Sequence, residues 1–96
     1  MKYVKVHWLH DSRDDPITYY SELADDRYET RKVQIYRDGR AEWSDEEHET
    51  AAVGLSEVPF PDLMEISSRP EFIAEEIDSA EFESVWNMAR EGKQER

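Results

Sequence analysis

Three groups of side chains in this chain have residue types that could do chemistry. His7 and His10 form an H-x-x-H, a spacing that presents two metal ligands together when it falls on a helix. Asp45-Glu46-Glu47-His48-Glu49 concentrates hard oxygen donors, and Asp11, Asp14 and Asp15 form a smaller acidic group before Pro16. Each has a plainer reading. The segment around His7 reads as a strand, and an odd separation on a strand sends the two imidazoles to opposite faces. A calcium loop alternates its oxygens and turns at a glycine, whereas no glycine interrupts Asp45–Glu49. The acidic groups therefore read as solvated loops. No cysteine is present, so thiol nucleophiles, disulfides and thiolate metal sites are excluded. Ser, His and Asp never fall into a nucleophile-elbow frame, and three glycines are too few for a phosphate-cradling loop. The sequence thus predicts no catalytic residues, no metal and no cofactor.

The elements that would position these groups follow from periodicity. Tyr3–His10, Ile17–Leu23, Tyr28–Arg37 and Arg40–Ser44 are rich in β-branched and aromatic residues and alternate in polarity, so they predict four strands. Asp38-Gly39 between the last two suits a type I′ hairpin turn. Asp45–Ser56 reads as a loop or short helix. Val58-Pro59-Phe60-Pro61 is rigid and extended, because each proline disfavours helical geometry at the residue before it. Asp62–Ser67 predicts a short helix, and Glu71–Ile77 reads as one further helical turn. Asp78 with Glu81 forms a capping box. Phe82, Val85, Trp86 and Ala89 then make one apolar stripe at helical spacing, with Gly92 placed to end the helix.

Strands first and helices last predict an α+β domain over residues 1–90: a four-stranded antiparallel sheet with C-terminal helices packed on one face. The tail Glu91–Arg96 reads as unstructured. The expected core is Val4, Val6, Trp8, Val33, Ile35, Leu63, Ile66, Phe82, Val85 and Trp86. The opening MKYVKVHWLHD predicts no signal peptide, and no apolar run is long enough to span a bilayer, which leads us to expect a cytoplasmic protein.

Several of these segments carry a resemblance. The opening Lys2-Tyr3-Val4-Lys5-Val6-His7-Trp8, Tyr20-Ser21-Glu22-Leu23, Asp26–Val33, Arg37-Asp38-Gly39-Arg40 and the ending Glu81-Phe82-Glu83-x-x-Trp86 are similar to a family of small acidic bacterial proteins. That family, mostly actinobacterial, is classed as a domain of unknown function. The resemblance runs from Lys2 to about Trp86. It implies an intact domain of bacterial origin and brings no activity, cofactor or site with it.

Charge is the strongest remaining functional signal. The 96 residues hold 24 acids and 12 bases, a net charge of −12. Residues 1–40 are balanced, eight acids against eight bases, while residues 41–96 hold 16 acids and four bases. Such segregation bears on partners rather than on fold. It predicts a non-enzymatic acidic binding protein of the immunity or inhibitor type, neutralising a basic protein partner such as a nuclease. A DNA mimic fits the same charge. The expected contacts are Asp45, Glu46, Glu47, Glu49, Glu75 and Glu76, with Tyr36 and Trp43 as aromatic anchors. The alternative is single-stranded nucleic-acid binding over residues 27–43, where Arg31, Lys32, Tyr36, Arg37 and Arg40 interleave cations with aromatics. Net charge disfavours that alternative. A homodimer through a free sheet edge is also open.

Overall fold

The computed structural model describes residues 1–49, 54–55 and 58–92. Its elements run β1 (Lys2–Trp8), β2 (Thr18–Leu23), β3 (Glu29–Ile35), β4 (Ala41–Asp45), α1 (Leu63–Ser67), β5 (Phe72–Ile77) and α2 (Ser79–Arg90). One sheet holds all five strands in the order β4-β3-β2-β1-β5, and every neighbouring pair is antiparallel. The class is α+β, as expected, but the sheet has five strands rather than four. The expected loop or short helix over Asp45–Ser56 falls partly, and the expected tail largely, outside the described residues. No helix among the described residues is long and apolar enough to cross a membrane.

The correction lies at β5. Phe72, Ile73 and Ile77 suggest a helical turn, yet this segment pairs with β1 along its whole length, Tyr3 opposite Ile77 and Trp8 opposite Phe72. The physical reason is non-local. β1 pairs β2 through one edge only, and its other edge would leave a row of backbone groups unpaired. Pro70 ends the preceding helical geometry, and the chain returns along that edge.

The turn after β3 also differs from expectation. Gly39 has φ +88° and Asp38 does not share a positive φ, so the turn is not type I′. Gly39 N–H donates to the Tyr36 carbonyl at 2.9 Å, and Tyr36 N–H donates to the Arg40 carbonyl at 2.8 Å. That is a three-residue loop: a type I turn followed by a glycine in the left-handed region.

The two sheet faces carry different layers. α2 covers the face bearing Tyr20, Val33 and Ile35, against which it buries Phe82, Trp86 and Ala89. Its start is capped as the sequence indicates: the Asp78 carboxylate accepts from Glu81 N–H at 2.8 Å. At its end Gly92, φ +73°, donates to the Ala89 carbonyl at 3.1 Å. Val4 and Val6 are buried on the opposite face. Phe60, Pro61 and Ile66 approach that second face. The helices therefore do not share one face, because strand alternation sends Val4 and Val6 away from α2 and the segment before β5 shelters them. Arg27 holds this segment in place. Its Nε donates to the Phe60 carbonyl at 2.9 Å and a terminal nitrogen to Pro61 at 2.8 Å, while Phe60 N–H donates to the Arg27 carbonyl at 2.7 Å.

Candidate partner-binding surface

The acidic residues singled out by sequence fall at opposite edges of the sheet. Asp45 closes β4, and its carboxylate accepts from Glu47 N–H at 2.9 Å and His48 N–H at 2.8 Å. Glu46, Glu47 and Glu49 are exposed in the loop that follows. Glu75 and Glu76 are exposed on β5, with β3, β2 and β1 intervening. The two groups do not make one patch. The expected aromatic anchors are packed away. Trp43 stacks on His48 at 3.9 Å, meets Trp86 edge-on at 5.3 Å and lies under the Arg90 guanidinium at 5.4 Å. Tyr36 is 6% exposed and sits beneath Arg40 at 4.2 Å. Burial, reinforced by a hydrogen bond with Glu42, pushes its phenol up to about 12.

Of the cations of residues 27–43, Arg27, Arg31 and Lys32 are half-buried and Arg37 and Arg40 are exposed. Arg31 pairs with Glu22 and Glu83 and lies over the rings of Phe82 and Trp86 at 4.9 and 5.0 Å. Lys32 points to the other face, 3.9 Å from Glu29 and over the Tyr19 ring. Arg37 donates to the His10 carbonyl. Arg31 and Lys32, being adjacent on a strand, cannot serve one surface. The residues proposed for nucleic acid are thus brought to no common cationic face.

The histidines also take separate tasks. His7 Nδ1 lies 3.2 Å from Thr18 Oγ1, and His10 Nε2 lies 2.7 Å from the Pro16 carbonyl. No group of three or more His, Asp or Glu could hold a metal ion among the described residues.

What the sequence reading missed is the setting of Glu75 and Glu76. From Glu71 to Ala89 the chain holds Glu71, Glu75, Glu76, Asp78, Glu81 and Glu83, and no Lys or Arg. Glu83 is spent on Arg31. The others border β5 and the start of α2. Lys5 faces them from β1, opposite Glu75. Burial pulls its ammonium pKa down, but Tyr20, Glu81 and Glu75 outweigh burial and hold it above the usual lysine value. The signal available in sequence was the run of six acids without a base. Its grouping at a sheet edge was hidden by the helical reading of Glu71–Ile77.

A second concavity lies on the face away from α2. It is a cleft of about 380 Å³ between Tyr19, Phe60, Ile66 and Phe72. Its floor holds Ser21, whose hydroxyl donates to Glu29 at 2.7 Å, and Lys32 beside it. The cleft joins an apolar wall to the Ser21–Glu29 hydrogen bond and the Lys32–Glu29 ion pair.

Fold and surface together define a small acidic α+β protein with exposed carboxylates at both edges of its sheet. Residues 2–91 match the model of a family described as a domain of unknown function (DUF6881), and the chain belongs to that family. No match was found among curated proteins or among solved structures.

Proposed function

We propose that this protein is a non-enzymatic acidic binding protein of the immunity or inhibitor type, which neutralises a basic protein partner. The observation that carries this reading is the disposition of charge. Arg31 and Lys32 are paired with carboxylates, whereas Arg37 and Arg40, which are exposed, lie against the His10 carbonyl and the Tyr36 ring. The carboxylates at β5 and at the β4 loop remain exposed. An outward negative field of this kind steers a cationic partner and selects against anionic ones. A nuclease is a suitable target, because the cationic groove that holds its substrate would accept the same field. A bacterial, cytoplasmic setting suits this role.

The test is affinity capture from a nuclease-treated lysate of the source organism, washed at rising salt and read by mass spectrometry. A basic protein released at moderate salt is the expected result. Loss of every partner on nuclease treatment would instead favour nucleic-acid binding.

A further inference from the structure

We propose that β5 is the docking edge of this surface and that the basic partner adds an extended strand to it. The proposal rests on the protein-binding reading above and deepens it by naming the contact. Backbone parity defines the edge. Leu9 N–H donates to the Glu71 carbonyl at 2.7 Å, while Trp8 N–H donates to Ile17 on the β2 side at 2.8 Å. Odd-numbered β1 residues therefore bond β5 and even-numbered ones bond β2. In the β1–β5 register, His7–Ile73, Lys5–Glu75 and Tyr3–Ile77 are the hydrogen-bonded pairs. The N–H and C=O groups of Ala74 and Glu76 consequently point away from β1, along the outer side of the sheet. Phe72 N–H is already taken by the Arg69 carbonyl at 3.1 Å. Among the described residues no strand lies beyond β5.

Charge selects the occupant. Edge strands invite pairing, and natural proteins deter it with charge. Here the deterrent is of one sign: Glu75 on the α2 face, Glu76 on the other, with Glu71 and Asp78 at the ends. Two copies of β5 would set like charges across the junction, which destabilises a pair. A strand with Lys or Arg at alternate positions would meet Glu75 or Glu76 favourably. Ile73, 55% exposed, offers such a strand an apolar contact. Main-chain bonds supply affinity and alternate side chains supply selection. At the opposite edge, β4, Asp45 N–H is bonded to the His48 carbonyl at 3.0 Å.

The experiment uses the full ¹⁵N-labelled chain, a synthetic peptide alternating Lys and Val, and egg-white lysozyme as a folded basic probe. On saturation with the peptide, amide exchange of Ala74 and Glu76 should slow by roughly tenfold, with Ile73 and Glu75 little changed. A Glu-Val peptide should not bind. Ala74→Pro, which removes an outward donor and no bond to β1, should weaken the Lys-Val peptide by roughly tenfold. Should that variant fail to fold, the exchange measurement on the unaltered protein decides. Peptide binding without protection at Ala74 and Glu76 overturns strand addition, as does binding of lysozyme but not of the peptide. Failure of both cationic probes to bind in a salt-sensitive way overturns strand addition and the acidic-surface reading together.

Discussion

Arg31 on β3 grips Glu22 on β2 through both ends of its guanidinium fork, with Nε 2.9 Å from Oε1 and a terminal nitrogen on Oε2. Thr30 Oγ1 donates to the same carboxylate at 2.7 Å. Only 8% of the Glu22 side chain is exposed. A buried carboxylate is tolerable when paired and costly when orphaned. Arg31 also reaches Glu83 and so ties sheet to helix.

Replacing Arg31 by Met should therefore destabilise the protein by about 3 kcal/mol, because Glu22 loses its countercharge. Urea unfolding monitored by tryptophan fluorescence measures this. The double variant Arg31→Met with Glu22→Leu should recover much of the loss.

The same pair gives a pH dependence. Hydrogen bonds from Arg31, and then Thr30, outweigh burial and hold the Glu22 carboxyl below its ordinary value of 4.5. A group depressed in the folded state contributes stability above its unfolded pKa and loses it as pH falls through the folded one. The stability gap between wild type and Glu22→Gln should be full at pH 6 and close as pH falls below about 4.5. A gap that stays constant to pH 3 would show that Glu22 ionisation adds nothing to stability.

Trp86 is 4% exposed and stacks near Phe82 at 6.2 Å and against Trp43 at 5.3 Å. Trp86→Ala should cost about 3–5 kcal/mol as a large-to-small core change. In a domain this size each kcal/mol lowers Tm by roughly 4–8 °C, so calorimetry should find the variant unfolded or melting far below wild type.

The contrast between α2 and β5 shows what the sequence makes legible. α2 is encoded locally: Asp78 and Glu81 cap it, Phe82, Trp86 and Ala89 give it a buried stripe, and Gly92 ends it. The first four strands are equally local, since Val, Ile, Tyr and Trp alternate along them. β5 is not. Phe72-Ile73-Ala74-Glu75-Glu76-Ile77 includes Ala and two Glu, which are weak strand formers, and becomes a strand because β1 offers an edge. The candidate surface was hidden with it. Sequence could count the acids of residues 71–83 but could not place them at an edge. Nor could it show that Trp43 lies between His48 and Arg90, or that Arg31 is consumed by Glu22 and Glu83.

Tyr36 allows a second titration test. Burial, then Glu42, raises its phenol to about 12 from the ordinary 10.0. A group raised in the folded state contributes stability below its unfolded pKa and loses it as pH rises through the folded one. This contribution should be full below pH 10 and disappear toward pH 12. Absorbance titration at 295 nm should show a late-ionising component that Tyr36→Phe removes. If the variant leaves the titration curve unchanged in shape, the phenol is not held by its surroundings.

Charge reversal separates the two acidic edges. Glu46→Lys with Glu47→Lys alters the β4 loop, and Glu75→Lys with Glu76→Lys alters the β5 edge. Both pairs are exposed, so neither variant should shift stability by more than about 1 kcal/mol. Binding of the captured basic partner should respond differently. The β5 variant places cations where an incoming basic strand must lie, converting attraction to repulsion at short range. It should weaken association at least tenfold at low salt, mainly through faster dissociation. The β4-loop variant alters only the longer-range field and should lower the association rate modestly, an effect that salt suppresses. Biolayer interferometry at two ionic strengths distinguishes these outcomes. A greater loss from the β4-loop variant would move the contact surface to Asp45–Glu49.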